Sequence, residues 1–419
     1  MVVQKVVELQ DRALIALRPY DVTARGWGGC WPGPRSRNLV GYRARFRARP
    51  FRQVVKEAPV FCERTSVGLD VHARSVVAAA IDGRSGEVFR ARLTPSHAEV
   101  IEWVGKLPGP CAVVYEAGPT GFGLARALSA VGLRCQVAAS SKLLRPAGDR
   151  VKTDARDALN LARLLRLDEI VPVRIPSAAE EAARDLVRIR EAARADLMRA
   201  RHRLSKLLLR HGIVYYDGKA WTERHDRWLH HQRFDAAPTQ SAFEDVYEAV
   251  VLATARRARL DEKITALAAD SEFSPLTRRL ACLRGISTLT GFALAVEIGD
   301  WDRFTGASIG AYLGLVPSEY SSGTSRTQGA ITKTGNTHVR RLLVEAAWHH
   351  RSTYRPGPVL RHRWDQAPAA ARARAHAGNQ RLHARWVGLN LRRKPAVIAN
   401  VAVARELAGW CWSLAVLPD

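Results

Sequence analysis

The alternation of short apolar runs and helical patterns between residues 65 and 167 limits the fold more than any other feature. Three apolar runs, TSVGLDVH, RSVVAAAID and GEVFRARL, follow one another across short turns and predict three antiparallel strands. A helix from Ser96 to Leu107 comes next, and then the strand CAVVYEA, the helix GFGLARALSAVG, the strand RCQVAA and a helix from about Asp154 to Leu167. Strands and helices in this alternation predict an α/β domain.

This order of elements is that of a ribonuclease-H-like domain, although other α/β folds begin in the same way. Beyond it, apolar residues recur at helical spacing and predict two long helices in a coiled-coil region, at about 178–212 and 240–270. The predicted boundaries are a basic extension of low order at 1–62, the ribonuclease-H-like domain at 63–172, the helical coiled-coil region at 173–278 and a mostly α C-terminal domain at 279–419.

The chain is strongly basic, with 65 Lys and Arg against 40 Asp and Glu and a formal net charge of +25. Such a charge favours a polyanionic partner, which makes DNA or RNA the expected ligand class. Part of the charge lies in the Gly-, Pro- and Arg-rich residues 1–62. They form either a nucleic-acid-binding arm or, as we favour, an extension without function or a start placed too early.

Secreted and membrane proteins are excluded by two patterns. The six cysteines are scattered without metal-ligand spacing, which is typical of reduced thiols in a cytoplasmic protein. The longest apolar tract, Ala396 to Leu417, is interrupted by Asn400, Arg405 and Glu406. This tract predicts a core helix rather than a membrane span, and no signal peptide is recognisable.

Four acidic side chains stand out against the basic background. Asp70 interrupts an apolar strand, where a carboxylate is costly to bury without a partner. Glu116 ends the strand that precedes the turn GPTG. Asp154 and Asp157 stand at i and i+3 in the first turn of a helix, and Thr153 is a plausible cap for that helix.

Four carboxylates at one sheet edge would raise the pKa values of one another unless cations bind between them. Oxygen ligands in this number suit Mg²⁺, and also Mn²⁺. Two such ions would stabilise the attacking and leaving oxygens of a phosphodiester. Singly, Asp154 and Asp157 are ordinary acids at a helix N-terminus. As a set with Asp70 and Glu116, they predict a metal site.

Further patterns favour contact with nucleic acid. Gly285 and Gly291 have the spacing of a helix-hairpin-helix, although a plain helix pair explains them equally well. Cations alternate with aromatics between Arg351 and Arg393, as they do in nucleic-acid grooves. Three histidines lie in the segment between the two predicted long helices: His225, His230 and His231. They are predicted to face solvent or nucleic acid rather than a metal.

Residues 318–336 form a polar segment, SEYSSGTSRTQGAITKTGN, which contains Ser321 and Ser322. A Ser-Ser-Gly stretch taken alone is most often just a loop. Thr337 is a candidate cap of a helix whose N-terminus would face a phosphate. The basic residues predicted to bind nucleic-acid phosphates are Arg326, Lys333, Arg340 and Arg341.

Two blocks of this sequence resemble one protein family. The segments GLDVH, VYEAGPTGFGLAR and KTDARDALNLARLL resemble the DEDD motifs of the RuvC-like domain in the insertion-sequence one-ten family of transposases. The segment from LTGFALAVEIGDWDRF to TKTGN resembles the C-terminal transposase domain of that family. The resemblance extends from about residue 64 to the end. It implies that the four DEDD acids are Asp70, Glu116, Asp154 and Asp157.

The resemblance also implies that Ser322 is a nucleophile that attacks DNA and becomes covalently linked to the phosphate of the cut strand. The adjacent Ser321 leaves open which of the two hydroxyls reacts. The acid-bound metal ions would activate the serine, which requires a composite site, built between domains or between the protomers of a dimer or tetramer. A structured RNA of the element itself is the implied guide, with base pairing rather than side chains reading the sequence.

We therefore predict a DNA transposase of the bacterial cytoplasm, associated with the nucleoid, that uses Mg²⁺ and a guide RNA. One alternative is a RuvC-like, structure-selective DNA nuclease that hydrolyses DNA with the four acids alone and forms no covalent intermediate. A second is a catalytically inactive nucleic-acid-binding protein descended from a transposase. The presence of all four acids and the serine argues against this second alternative.

Overall fold

The computed structural model describes residues 64–144 and 153–418. The predicted basic extension at 1–62 lies outside the described residues. Five strands occur where the sequence predicted them, and the prediction of an α/β region is confirmed. The strands are β1 (Thr65–Val71), β2 (Val76–Ile81), β3 (Val88–Leu93), β4 (Cys111–Glu116) and β5 (Arg134–Ala138).

These strands form one sheet in the order β3-β2-β1-β4-β5. β1 pairs antiparallel with β2, and β2 with β3, as expected of strands that short turns connect. β4 lies parallel to β1, and β5 lies parallel to β4, because the intervening connections contain helices. The carboxyl ends of β1 and β4 therefore meet at the same edge of the sheet.

Helices cover both faces of this sheet. They are α1 (His97–Gly105), α2 (Gly123–Ala130) and α3 (Asp154–Arg166). On one face, Leu128 of α2 packs in a core with Val67 of β1. On the other face, Leu161 of α3 packs in a core with Val114 of β4. Thr153 caps α3 as predicted, because its side chain accepts a hydrogen bond from the backbone N–H of Arg156.

Gly68 lets α3 lie directly on β1. A Cβ at this position would overlap the backbone carbonyl oxygen of Ala158 and would lie within 2.5 Å of the backbone nitrogen of Ala162. Because side chains alternate along a strand, Gly68 and Asp70 face the same side of the sheet. Asp154 lies one helical turn before Ala158, so this close packing carries its carboxylate towards Asp70.

Two helices of 33 residues each dominate the middle of the chain, close to the predicted ranges. The helices here are α4 (Ala178–Arg210), the short α5 (Glu223–His230) and α6 (Ala237–Ala269). Arg190 of α4 pairs with Asp261 of α6 at 2.6 Å, and Asp196 of α4 pairs with Arg256 of α6 at 3.2 Å. From the first pair to the second, the residue number rises along α4 and falls along α6. The two helices therefore run antiparallel.

The segment that carries α5 corrects one prediction. His225 is buried, and its ring centroid lies 4.7 Å from that of Tyr215 and 5.5 Å from that of Trp228. The prediction that His225 faces solvent or nucleic acid is therefore wrong, because the surrounding aromatic rings bury it. His230 and His231 are exposed.

The C-terminal region is mostly α-helical, as predicted, apart from one hairpin. Its elements are α7 (Ser274–Leu280), α8 (Thr288–Ile298), α9 (Ser308–Tyr312), β6 (Pro317–Ser322), β7 (Ser325–Ile331), α10 (Thr337–Ala347), α11 (Pro358–Asp365), α12 (Ala369–Leu391) and α13 (Ala396–Ala415). One core buries Phe292 of α8, Leu343 of α10, Leu382 of α12 and Leu407 of α13, together with Val187 of α4. The apolar tract that forms α13 is thus a core helix. Within the described residues, none of the helices combines the length and apolar character needed to cross a membrane.

The two glycines of the possible helix-hairpin-helix have different surroundings. Gly285 lies in the turn between α7 and α8 with a φ of 86°, and a Cβ there would overlap the backbone of Ala346. Gly291 lies inside α8 and is buried near Thr277. Only one of the two glycines is a turn residue, so the structure favours the plain helix pair.

Candidate active site

The carboxylates of Asp70 and Asp154 approach each other around His72. The Nε2 atom of His72 lies 3.1 Å from Oδ2 of Asp70 and 3.8 Å from Oδ1 of Asp154. One ligand atom from each of these three residues falls within 4.8 Å of the others. The three side chains therefore have a spacing suited to sharing one cation.

Asp70 lies at the carboxyl end of β1, where its side chain is 19% exposed. Burial raises the pKa of this carboxyl, the hydrogen bond and charge of His72 lower it, and Asp154 and Asp157 raise it further. The net result is a pKa above the ordinary value. A carboxylate under such repulsion would be stabilised by a cation bound between the acids.

Glu116 completes the acidic set from the neighbouring strand β4. All four predicted acids line one cleft of about 830 Å³. Beside Glu116, the buried Tyr115 donates a hydrogen bond from its hydroxyl to the carbonyl oxygen of Gly121 at 3.1 Å, which fixes the turn that borders the cleft. Burial raises the pKa of Tyr115 to about 12, so this hydroxyl remains a donor. The carboxylate oxygens of the four acids are the ligands that fit Mg²⁺ or Mn²⁺.

Ser322 lies elsewhere, at the tip of the hairpin formed by β6 and β7. It pairs with Ser325 across the turn, and Gly323 has the positive φ of 56° that such a turn needs. The tip of the hairpin is exposed. No hairpin residue is among the described residues that line the acidic cleft. The structure thus brings the four acids together and leaves Ser322 outside their cleft.

The hydroxyls of Ser321 and Ser322 have different partners. Ser321 Oγ donates a hydrogen bond to Oε1 of Glu319 at 2.8 Å, and the same carboxylate accepts one from Arg326 at 2.7 Å. In the described part of the chain, the Ser322 hydroxyl has no hydrogen-bond partner. Of the two hydroxyls, that of Ser321 is therefore held by a neighbouring carboxylate, and that of Ser322 is not.

Two models of known families match this chain. A transposase model for the DEDD domain of IS110 elements matches residues 67–213. The model described as "Transposase IS116/IS110/IS902 family" matches residues 277–364. The matches fall on the same two blocks of sequence that carry the acids and Ser322.

Individual relatives extend the similarity over most of the chain. The y4qE protein of Sinorhizobium fredii is 38% identical over 355 residues, which cover 83% of this chain and 88% of that protein. The transposase for insertion sequence element IS1533 of Leptospira borgpetersenii is 31% identical over 343 residues, 78% of this chain and 97% of that protein. The chain belongs to the IS110 family of transposases. The resemblance to the insertion-sequence one-ten family is thereby confirmed, and the transposase is a DNA-cutting enzyme of this family.

The four basic residues predicted to bind phosphates differ in their surroundings within the transposase. Arg326 pairs with Glu319, as described above. Arg340 donates hydrogen bonds to two backbone carbonyl oxygens, of Leu313 and Thr334, and Arg341 pairs with Glu345 at 2.6 Å. Lys333 is exposed and makes no ion pair with any residue that the structure describes. Phosphate binding by Arg326, Lys333, Arg340 and Arg341 stays a prediction.

Thr337 is not the cap of α10. The N-cap is Asn336, whose side-chain oxygen accepts a hydrogen bond from the backbone N–H of Val339 at 3.0 Å. The prediction was wrong by one position. Asn and Thr are both good caps, and only the backbone conformation decides between neighbours.

Sequence reasoning missed one member of the acidic cleft in the transposase. His72 stands two residues after Asp70, and side chains at i and i+2 of a strand share a face. The same alternation that separated Asp70 from its apolar neighbours therefore pointed to His72. The motif GLDVH therefore contained the signal for His72.

Proposed function

We propose that this transposase cuts and rejoins DNA through a covalent link between Ser322 and a DNA phosphate, assisted by Mg²⁺ at the cleft of four acids. The observation that carries the proposal is the convergence of Asp70, Glu116, Asp154 and Asp157 on one cleft. Mn²⁺ is the alternative ion, because the same oxygen ligands suit it. The DEDD family match supports the use of a divalent metal.

The chemistry divides between the two parts of the site. Ser322 Oγ attacks the phosphorus of a phosphodiester, its proton passes to solvent, and the bond to one sugar oxygen breaks as that oxygen takes up a proton. When bound, the divalent ion stabilises the charge that develops on the phosphate oxygens. Asp70 and Asp154 would hold the ion with Glu116 and Asp157, and His72 orients the carboxylate of Asp70. Attack by a sugar hydroxyl on the serine-linked phosphate reverses the steps and rejoins the DNA.

Ser322 must reach the acids for this reaction, and in one chain it does not line their cleft. We propose that domain closure or a second protomer brings the two together, in a dimer or tetramer. The antiparallel pair of α4 and α6 supports the predicted coiled-coil region, and the sheet order β3-β2-β1-β4-β5 supports a ribonuclease-H-like, RuvC-like fold. The predicted domain boundaries at 63–172, 173–278 and 279–419 belong to the same proposal.

We propose a structured guide RNA as a second partner besides DNA, because the family resemblance implies one, and the net charge of +25 favours polyanionic partners in general. In that arrangement base pairing reads the DNA sequence, and the protein holds backbones. The proposed location is the bacterial cytoplasm, at the nucleoid.

One observation favours a second candidate function. Because the four acids are gathered without Ser322, they could hydrolyse DNA alone, as in a structure-selective RuvC-like nuclease. The two functions differ in one product, since only the transposase reaction attaches DNA to the protein.

A suicide DNA substrate that traps the attached strand separates them. We expect wild-type protein and Ser321→Ala to form a covalent protein–DNA adduct in Mg²⁺, and Ser322→Ala and Asp70→Asn to form none. An adduct with Ser322→Ala would overturn the serine assignment. Cleavage without any adduct in the wild type would establish the nuclease instead, and cleavage by Asp70→Asn would overturn the metal site.

A further inference from the structure

The closest group of possible metal ligands in the acidic cleft contains a histidine. Asp70, His72 and Asp154 each offer one ligand atom within 4.8 Å of the others. No other set of three His, Cys, Asp or Glu side chains among residues 64–144 and 153–418 has this spacing. Glu116 and Asp157 line the same cleft but lie outside the group. An imidazole nitrogen, rather than a third carboxylate, therefore completes the closest set of donor atoms.

The distances within this group suit positions around a single ion. Nε2 of His72 lies 3.1 Å from Oδ2 of Asp70 and 3.8 Å from Oδ1 of Asp154. In an octahedral site with bonds of about 2.1 Å, adjacent donor atoms are about 3.0 Å apart and opposite ones about 4.2 Å. Both measured separations fall between these limits, so an ion among the three atoms needs only small side-chain movements to bind them all.

The backbone holds His72 in this position. The residue follows β1 directly, and its backbone N–H donates to the carbonyl oxygen of Ser75 at 2.9 Å across the turn to β2. Because His72 stands two residues after Asp70, alternation along the extended chain places both side chains on the same face. The hydrogen bond from Nε2 to Asp70 then keeps the two donor atoms side by side. A ligand pair held in this way loses little conformational freedom when an ion binds.

A nitrogen among the ligands changes which ions a site prefers. Mg²⁺ binds oxygen ligands and gives up its water molecules reluctantly, whereas imidazole is a common ligand of first-row transition ions. Mn²⁺ shares the carboxylate preference of Mg²⁺ and, as a transition ion, also accepts a nitrogen donor. A site made of carboxylates and one imidazole therefore favours Mn²⁺ over Mg²⁺.

We infer that Nε2 of His72 binds the ion directly beside Asp70 and Asp154, and that this nitrogen gives the cleft a preference for Mn²⁺ over Mg²⁺. The inference rests on the proposed function, because that function requires a divalent ion in the cleft. The ion takes the place of the hydrogen that Nε2 donates to Asp70, and the neutral ring then carries its one N–H at Nδ1. The side chain of His72 is 52% exposed, so an ion can reach it from solvent.

The bond to nitrogen is tested on the full chain with one equivalent of Mn²⁺. Electron spin-echo envelope modulation detects a nitrogen nucleus attached to the bound Mn²⁺, and labelling of all histidines with ¹⁵N shows whether that nucleus belongs to an imidazole. Isothermal titration calorimetry gives the Kd values of Mn²⁺ and of Mg²⁺. The wild-type spectrum alone decides whether a histidine binds the ion.

Two variants then identify the histidine. His72→Ala removes the ring, and His72→Gln keeps an amide that can donate to Asp70 but offers an ion only an oxygen atom. The matched control is His97→Gln, because His97 lines the same cleft from α1 and lies outside the group of three. Comparison of Gln with Ala at position 72 separates the loss of the nitrogen from the loss of the hydrogen bond to Asp70.

We expect histidine nitrogen modulation in the wild type and in His97→Gln, and none in either His72 variant. Both His72 variants should weaken Mn²⁺ binding by roughly tenfold or more, since loss of a residue that merely supports a metal ligand already costs that much. The Kd of Mg²⁺ should change less, so the preference for Mn²⁺ should fall. Equal weakening for both ions in both His72 variants would overturn the ion preference.

The remaining outcomes separate His72 from the proposed function. A wild type that binds Mn²⁺ and forms the Ser322 adduct but shows no histidine nitrogen would overturn the inference alone, since His72 would then act only through Asp70. A nitrogen signal that persists in His72→Gln would also overturn it. Mn²⁺ affinity that Asp70→Asn leaves unchanged would instead overturn the metal site of the proposed function.

Discussion

At the scale of single residues, Glu297 near the end of α8 is a buried acid whose charge its neighbours stabilise. Its side chain is 1% exposed. Burial alone would raise its pKa, but hydrogen bonds from His338, Arg188 and Asn336 and the charge of Arg188 lower the pKa to about 2. The carboxylate therefore joins α4, α8 and the cap of α10, next to the loop that follows the Ser322 hairpin.

Replacing Glu297 should destabilise the protein in a pH-dependent way. An acid whose folded pKa lies below its ordinary value of 4.5 stabilises the fold above that value and loses the effect as pH falls towards 2. We expect Glu297→Gln to lower the free energy of unfolding by about 3 kcal/mol at pH 7 and by less near pH 3. Urea unfolding at both pH values measures this, with the exposed Glu262→Gln as control. An equal loss at both pH values would contradict the linkage.

Sequence reasoning found the partly buried acid of a strand, Asp70, and missed the buried acid of a helix, Glu297. Asp70 was identified because a carboxylate in an apolar strand needs a partner, and Glu297 interrupts the apolar helix TLTGFALAVEI in the same way. The partners of Glu297 are 39 to 109 positions away in the chain, so no local pattern reveals them. The distinction between Ser321 and Ser322 was inaccessible for another reason: Glu319 accepts from Ser321 because both lie on one face of β6, and the sequence did not predict that strand.

At the scale of elements, the packing of α3 on β1 determines the geometry of the acidic cleft. Gly68→Ala would place a methyl group into the backbone of α3 and push the helix away from the sheet. We expect a loss of about 1–3 kcal/mol in unfolding free energy and weaker Mn²⁺ binding, because Asp154 would move away from Asp70. Calorimetric titration with Mn²⁺ measures the second effect. Gly105→Ala is the matched control, because nothing lies within 4 Å of its added Cβ. Unchanged Mn²⁺ affinity in Gly68→Ala would show that the packing of α3 on β1 does not set the position of Asp154.

The long elements were easier to predict than the short polar ones. The helical periodicity located α4 and α6 to within about three residues, and the apolar runs located β1 to β5. The hairpin of β6 and β7 gave no such signal, because its strands are polar and mostly exposed on both faces. Periodicity reports on burial, so the exposed hairpin that carries Ser322 reads as a loop.

At the scale of the whole molecule, the positive charge and the four acids have separate places. The acids lie together at one sheet edge, and Arg374, Arg385 and Arg405 line a separate groove between α12 and α13. The sequence order could predict each block but not the route by which Ser322 would meet the acids in the proposed reaction. That route depends on contacts between parts of the chain or between protomers, which no local pattern encodes.

Mixing two inactive variants decides between these routes. Asp70→Asn keeps the serine and loses the acid site, whereas Ser322→Ala keeps the acids and loses the serine. If each site combines Ser322 of one protomer with the acids of another, mixed oligomers contain some intact sites. Co-expression of the two variants should then restore about a quarter of the wild-type adduct on the suicide substrate, because half of randomly formed dimers are mixed and each carries one intact site of two. A site built within one chain is never intact in the mixture, so an absence of adduct in co-purified mixed oligomers would establish closure within the protomer.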